Sequence, residues 1–231
     1  MFYKRIRHIR GHGVHSPFVY NLITKVIEER CRYYSFDDIE LIRKQLLFKK
    51  EGKLIRRKAI SAKHGALLFR LTNYFHPQNI IQIGATTGLS TLYLTSYATG
   101  INCISLENRP EYASVSRWTY HKAAKTPVDV REGDYKHTLP QALLDIKRPD
   151  LVFFNLAREQ TDSLWLFYQC AEYIHNDTFF VFAGIKSNAR ARNCWKQIAG
   201  HPKVTLAIDL YSTGIVFFNK KLHKRTYLLY F

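Results

Sequence analysis

The most constraining stretch of this sequence is residues 80–90, which reads Ile-Ile-Gln-Ile-Gly-Ala-Thr-Thr-Gly-Leu-Ser. Its β-branched apolar beginning predicts a strand that is covered on both faces. Gly84 and Gly88 predict a turn, because glycine permits unusual backbone angles and lets a ligand approach closely. The residues after Gly88 have helical apolar spacing, so free N–H groups of the helix start would point into a crevice. The stretch therefore predicts a strand, a glycine turn and a helix, with the turn suited to an anion or a nucleoside.

A second apolar run, residues 101–106, ends in Glu107, which lies 19 residues after Gly88. Nucleotide-binding α/β units place the acid that accepts hydrogen bonds from ribose hydroxyls about 20 residues after the glycine turn. Gly84 and Gly88 fill only the first and fifth places of such a turn, so the G-x-G-x-x-G pattern of dinucleotide sites is incomplete. A nucleoside without phosphate fits this pattern better than NAD or FAD, while a simple tight turn is the structural alternative.

Segments spread over residues 78–219 resemble the class I S-adenosylmethionine-dependent methyltransferases, in particular their O-methyltransferase-like branch. Residues 82–91 resemble the first motif of that family, and residues 106–111 stand in the place of its acidic second motif. Further matches are residues 132–135 after a short strand, residues 150–155 at the end of the fourth strand, and a C-terminal pair of strands, 204–210 and 214–218. Such a terminal hairpin is typical of that fold, whereas a dinucleotide dehydrogenase would continue with another strand–helix–strand unit.

The resemblance implies that S-adenosylmethionine binds at the ends of the first strands. Glu107, with Asn108 beside it, would bind the ribose. Asp134 and Tyr135 would lie by the adenine, and Asn155 would face the methyl donor. Four residues of the glycine turn and the following helix would face the methionine part of the cofactor: Gly84, Thr86, Gly88 and Ser90.

The order of apolar segments predicts the architecture. Residues 1–60 are predicted to form a basic helical N-terminal appendage or lid, and residues 61–231 the methyltransferase-like domain. Alternating strands and helices predict an α/β fold with a Rossmann-like, doubly wound, mostly parallel sheet. The predicted strands are 80–84, 101–107, 128–132, 150–155 and 177–183, followed by the antiparallel C-terminal hairpin. The predicted helices between them are 88–98, 110–122, 137–146, 160–174 and 189–199.

Composition narrows the class of protein further. No run of about 18 apolar residues is present, so no transmembrane segment is expected. The N-terminus is basic but lacks the apolar region of a secretory signal. The cysteines have neither zinc-site spacing nor the pattern of a disulfide framework. These features predict a cytoplasmic protein with reduced thiols.

The chain is strongly basic, with 35 Lys and Arg against 18 Asp and Glu and a formal net charge of +17. Such a charge attracts acidic partners, so nucleic acid, an anionic membrane surface or an acidic metabolite are candidate partners. No helix-turn-helix, zinc-finger or RRM signature accompanies the charge. A solvated basic surface without a particular partner is the alternative, and the oligomeric state cannot be predicted from these features.

The catalytic chemistry is less defined than the cofactor site. Metal-dependent O-methyltransferases close their fourth strand with Asp and place an Asp-Asn pair after the fifth, giving oxygen ligands to a divalent cation. Asn155 and the pair Ala183-Gly184 stand in those places here, so no metal site of that kind is expected. An oxygen nucleophile usually needs a base, and the glycine-flanked His12, with His15, is the candidate for one. The alternative is that both histidines are exposed or cap the next helix.

Two hypotheses follow from these observations. The first is a metal-independent S-adenosylmethionine-dependent methyltransferase that acts on a small hydroxylated or acidic acceptor. The second is a non-catalytic protein of the same fold, whose basic surface binds nucleic acid or another acidic partner. The replacement of the acidic residues by Asn155 and Ala183-Gly184 is the feature that keeps the second hypothesis open.

Overall fold

The computed structural model describes residues 9–48, 58–124, 127–155 and 163–231. In these ranges the helices are α1 (Pro17–Leu22, continued by a π-helical segment Ile23–Ile27), α2 (Tyr34–Leu47), α3 (Ala62–Phe75), α4 (Leu89–Thr95), α5 (Pro110–Ala123), α6 (Tyr135–Ile146), α7 (Ser163–Ala171) and α8 (Ala189–Gly200). The strands are β1 (Asn79–Ile83), β2 (Asn102–Glu107), β3 (Val128–Glu132), β4 (Leu151–Phe154), β5 (Phe179–Ala183), β6 (Leu206–Asp209), β7 (Thr213–Phe217) and β8 (Arg225–Leu228).

All of these strands form one sheet with the order β3-β2-β1-β4-β5-β7-β6-β8. Strands β1 to β5 are parallel, and β7 pairs antiparallel with both β5 and β6. The chain moves outward from β1 to β3 and then returns to place β4 on the other side of β1. The order of strands therefore reverses between β1 and β4, and ligands of open α/β sheets bind outside the carboxyl ends of the strands at such a point.

Helices cover both faces of the sheet. Alternate strand residues such as Ile80 and Phe153 belong to one buried cluster, which also contains apolar residues of α1 to α5. Their neighbours Ile81 and Phe154 belong to the cluster on the opposite face, with α6 to α8. This alternation follows from the two-residue period of a strand, and burial of both faces explains why these strands are almost wholly apolar.

The N-terminal helices pack on the same face of the sheet as α3 and α4. The ring of Phe18 lies 6.0 Å from the ring of Phe75 and 5.0 Å from that of Phe217, measured between centroids. Helix α2 is tied to α4 because the Tyr93 hydroxyl donates a hydrogen bond to Glu40 over 2.8 Å. The division of the chain at residue 60 stays a prediction, since residues 49–57 lie outside the described ranges.

The predicted α/β fold is confirmed, with one addition. The hairpin of β6 and β7 does not end the sheet, because β8 pairs parallel with β6 at the edge. The sequence had not predicted this strand, and Tyr227 and Leu229 at the edge are only 5% and 2% exposed. The predicted helix 160–174 begins partly outside the described ranges and is observed over Ser163–Ala171. No helix in the described part of the chain is long and apolar enough to cross a membrane.

Candidate active site

The glycine turn between β1 and α4 has the left-handed backbone that its sequence predicted. Gly84 and Gly88 have φ of 84° and 76°, and Thr86 between them has φ of 49°. A Cβ atom on Gly88 would lie 2.9 Å from the ring of Tyr120, so glycine is required there for space as well as for conformation. The backbone N–H groups of Gly84 and Ala85 donate to the carbonyl of Leu106, which fixes the turn against the end of β2.

A buried polar network lies beneath the turn. The Gln82 amide donates to the Ser90 hydroxyl over 2.8 Å and accepts from the Thr91 hydroxyl over 2.7 Å. Thr91 and Ser105 both hydrogen-bond the Tyr120 hydroxyl, and burial raises the pKa of that phenol. Ser90, which the resemblance assigned to the methionine part of the cofactor, is 2% exposed and belongs to this network. The network supports the turn from inside the protein.

Glu107 points at the turn, as the sequence predicted for an acid at the end of β2. Its Oε2 accepts a hydrogen bond from the Thr86 N–H over 2.7 Å, and Oε1 accepts from the Arg109 N–H over 3.1 Å. The residue is 0% exposed. A ribose could therefore reach this carboxylate only after neighbouring residues had moved.

The other residues assigned to the nucleoside lie in different environments. Asn108 Oδ1 is buried and has no hydrogen-bond partner among the residues that the structure describes. Asp134 caps the start of α6, where its side chain accepts from the Lys136 N–H over 2.9 Å. Tyr135 is 2% exposed and packs in the cluster with α6 to α8. The orphaned Asn108 oxygen beside Glu107 fits a ligand with hydroxyl or amino donors.

A cavity of about 330 Å³ opens where the turn, β4, β5 and the β6–β7 hairpin meet the start of α3. This volume lies within the usual range for small-molecule pockets, which begins near 300 Å³. Its described lining is Lys58, Ala59, Ile60, Ser61, His64, Leu68, Thr86, Phe153, Asn155, Ala183, Gly184, Ser212 and Thr213. Thr86 lines the cavity, and its backbone N–H also donates a hydrogen bond to Glu107, so this residue connects the cavity with the predicted ribose site.

Asn155 lies in this cavity, as predicted for a residue that faces the methyl donor. Its side-chain nitrogen donates to the Gly84 carbonyl and to the Thr86 hydroxyl, both over 3.2 Å. The amide therefore holds the left-handed part of the turn from the side opposite Glu107. Its position after β4 follows from the strand itself, because the Asn155 N–H continues the ladder by donating to the Ile83 carbonyl.

His64 is the titratable imidazole in this cavity, and sequence analysis missed it. It lies in the first turn of α3, where Ser61 caps the helix and accepts from the His64 backbone N–H over 3.3 Å. Its Nδ1 lies 2.7 Å from the Ser61 hydroxyl, and its Nε2 lies 2.6 Å from the Ser212 hydroxyl. Burial, and then the positive charge of Lys63, lower the pKa of His64. The signal in the sequence was a histidine one turn after a capping serine, where helix dipoles disfavour a cation.

The histidines chosen from the sequence lie elsewhere. His12 and His15 are both exposed, and neither is among the described residues that line the cavity. The positions that the sequence comparison assigned to the ligands of a metal-dependent site are Asn155, Ala183 and Gly184, and all three line the cavity. Within the described ranges, no group of three or more His, Cys, Asp or Glu side chains could hold a metal ion.

Known proteins resemble this chain in structure but not in sequence. No protein-family model matches this chain, and no curated protein matches it in sequence. Among solved structures, the O-methyltransferase from Bacillus cereus in complex with S-adenosylhomocysteine has a TM-score of 0.60 and 17% identity, over 86% of this chain and 96% of that chain. The O-methyltransferase TomG from Streptomyces achromogenes, involved in tomaymycin synthesis and solved with S-adenosylmethionine, has a TM-score of 0.60 and 16% identity, over 87% and 95%.

A fungal protein agrees with these two. The methyltransferase PaMTH1 of Podospora anserina, bound to S-adenosylhomocysteine, has a TM-score of 0.62 and 14% identity, over 84% of this chain and 92% of that chain. The protein has the class I methyltransferase fold. At these identities the likeness establishes the fold, of the O-methyltransferase-like type, and the reaction has to be argued from the site.

Proposed function

We propose that the protein is an S-adenosylmethionine-dependent methyltransferase that acts on a small hydroxylated or acidic acceptor without a metal ion. The observation that carries this proposal is that Thr86 contacts both the predicted ribose site and the cavity. Its backbone N–H binds the Glu107 carboxylate, while its side chain lines the cavity beside Asn155. A nucleoside on Glu107 and a methyl group in the cavity would therefore be two parts of one ligand.

The residues around the turn would hold the cofactor as follows. Glu107 would accept hydrogen bonds from the ribose hydroxyls, and Asn108 offers an unsatisfied oxygen beside it. The turn from Gly84 to Gly88 allows close backbone approach, which the methionine part requires. Asp134 and Tyr135 stay proposed neighbours of the adenine. The cofactor supplies the methyl group on a positively charged sulfur, and the residues of the cavity would position the acceptor against it.

The donor set of the cavity supports a reaction without a metal ion. Asn155 offers a neutral amide and Ala183 offers no side-chain ligand, whereas divalent cations such as magnesium prefer carboxylates. Methyl transfer from a sulfonium depends mainly on in-line positioning of the nucleophile, for which proximity alone supplies a large part of the rate. A base near the acceptor oxygen would complete the site.

The cavity lining also supports the choice of acceptor. Ile60, Leu68 and Phe153 provide apolar walls, while Ser61 and Ser212 provide hydroxyl groups. Lys58 also contributes to the described lining, which contains no carboxylate. A small molecule that combines an apolar body with a hydroxyl or acidic group matches this lining best.

The cofactor assignment predicts that the protein binds S-adenosylhomocysteine in isothermal calorimetry and that adenosine competes for the same site. NAD is the control ligand, and we expect it to give no comparable heat because the turn lacks the G-x-G-x-x-G pattern. Absence of binding by S-adenosylhomocysteine at millimolar concentration would contradict the proposal and favour the non-catalytic alternative. The non-catalytic alternative, in which the basic surface binds nucleic acid, stays a prediction, and the salt dependence of RNA binding tests it. The cytoplasmic location also stays a prediction.

A further inference from the structure

We propose that His64 is the general base that removes the proton from the acceptor hydroxyl during methyl transfer. This inference rests on the proposed function, because it assigns a residue to the same cavity. It is carried by the position of the imidazole, whose two ring nitrogens each contact a serine hydroxyl in the lining of the cavity. Ser61 lies at the start of α3, and Ser212 lies on the turn of the β6–β7 hairpin.

The two serines fix the ring in both rotation and position. Ser61 Oγ lies 2.7 Å from Nδ1 and Ser212 Oγ lies 2.6 Å from Nε2, so each ring nitrogen has a partner. Ser212 is itself held, because its backbone carbonyl accepts from the Gly184 N–H over 2.6 Å. The ring of Phe231 packs against the imidazole at 5.6 Å between centroids. Catalytic bases are typically oriented by such a third group.

We assign the tautomer from the capping role of Ser61. The Ser61 oxygen accepts from the His64 backbone N–H and keeps a second lone pair, and we place Nδ1–H as the donor to that lone pair. Nε2 then carries the lone pair, which faces Ser212 and the cavity. This is the tautomer that can accept a proton from a ligand in the cavity, with Ser212 either displaced by the acceptor hydroxyl or positioned beside it.

Burial and the charges around His64 keep the imidazole neutral. Lys63 on the same helix and Lys58 in the cavity lining are cationic, and Ser212 and Thr213 from the hairpin and Phe231 carry no side-chain charge. Because burial and Lys63 lower the pKa of His64, the imidazole is neutral at neutral pH and carries its one ring proton on Nδ1. The His64-dependent part of the rate should rise as pH increases through this lowered pKa and then level off at higher pH.

The proposed step conserves atoms and charge. The acceptor O–H bond breaks and its proton passes to Nε2 of His64, while the oxygen forms its bond to the methyl carbon. The bond between that carbon and sulfur breaks, and its electron pair stays on sulfur, which leaves S-adenosylhomocysteine and the methylated acceptor. The imidazolium then releases its proton to solvent.

The test compares the intact protein with His64→Gln, and His201→Gln is the matched control. His201 also has a pKa lowered by burial, but it packs against Phe167 and is absent from the described lining of the cavity. Nitrogen NMR of the imidazoles is recorded against pH, first in the free protein and then with S-adenosylhomocysteine and 4-nitrophenol as the probe acceptor. Calorimetry with S-adenosylhomocysteine and thermal unfolding are measured on all three proteins.

We expect His64 to be protonated on Nδ1 and to titrate below the ordinary histidine range. The probe should shift the Nε2 resonance of His64 in the intact protein. Methyl transfer to a phenol should fall about 100-fold or more in His64→Gln, the usual contribution of a general base, with unchanged affinity for S-adenosylhomocysteine. His201→Gln should behave like the intact protein.

Three NMR results would each overturn the assignment of His64. They are a proton on Nε2, a His64 pKa at or above the ordinary histidine value, and an Nε2 resonance that does not shift with saturating 4-nitrophenol. A rate that His64→Gln leaves unchanged would do the same. Failure of the proposed function has a different signature, because the intact protein would then not bind S-adenosylhomocysteine at all. The Ser212→Ala variant separates positioning from catalysis, since it should move the tautomer equilibrium and pH profile without removing the rate that depends on His64.

Discussion

Replacing Glu107 with glutamine is expected to weaken the binding of S-adenosylhomocysteine about 100-fold. Hydrogen bonds to a charged group contribute about 1.5–3 kcal/mol each, so losing the charge opposite two ribose hydroxyls costs about 3 kcal/mol. The substitution also disturbs the turn, because both Glu107 oxygens accept from backbone N–H groups and a glutamine offers only one such oxygen. Calorimetry on the folded variant, below its melting temperature, measures the effect on binding alone.

The matched control for this variant is Glu132→Gln. Glu132 is the register partner of Glu107 on the neighbouring strand, but its side chain is 35% exposed and pairs with Arg117 at the surface. We expect it to bind S-adenosylhomocysteine like the intact protein. If folded Glu107→Gln also kept full affinity, the ribose would not lie on Glu107 and the cofactor assignment would be wrong.

Replacing Lys186 with methionine is expected to lower the free energy of unfolding by about 3–5 kcal/mol, the usual cost of removing one partner of a buried ion pair. The Lys186 ammonium lies 2.8 and 2.7 Å from the two oxygens of Asp209. The side chains are only 14% and 5% exposed. Methionine keeps the length of the side chain but leaves the Asp209 carboxylate buried without its cation. Denaturation by urea measures the loss.

The chain contains a surface pair of the same type for comparison. The Lys203 ammonium lies 2.8 Å from a Glu172 oxygen, but these side chains are 42% and 70% exposed. Exposed pairs usually contribute less than about 1 kcal/mol, so Glu172→Gln should change the free energy of unfolding little. An equal loss of unfolding free energy in both variants would show that burial of the Lys186–Asp209 pair does not increase its contribution to stability.

The Lys186–Asp209 pair joins the segment after β5 to the hairpin, so its loss should also loosen the cavity wall.

The turn and Glu107 could be predicted from sequence because both depend on local signals. A strand, a glycine turn and a helix occupy consecutive residues, and the acid follows after one further strand. The strand β3 was predicted with its observed bounds, Val128–Glu132. The enclosure of Glu107 could not be predicted, because it depends on how Thr86 and Arg109 pack around the carboxylate in three dimensions.

His64 was missed for a related reason. Its partner Ser212 is 148 residues away in sequence, and the fold brings them together only after the hairpin has packed against α3. Similarly, β8 was missed because a short edge strand that begins with Arg225 resembles a charged tail. Alternation of Tyr227 and Leu229 toward the core was the available signal. His12 was chosen for its flanking glycines and His15 for its place in the same segment, and these local features carry no information about the cavity.

The most direct test of the account is a crystal structure of the protein with S-adenosylhomocysteine. We expect the ribose hydroxyls on Glu107 beside Asn108, the adenine near Asp134 and Tyr135, and the sulfur at the wall of the cavity between Thr86 and Asn155. His64 should then face the space in front of the sulfur. A ligand bound elsewhere, or a sulfur directed away from the cavity of His64 and Ser212, would contradict the proposed methyl-transfer site.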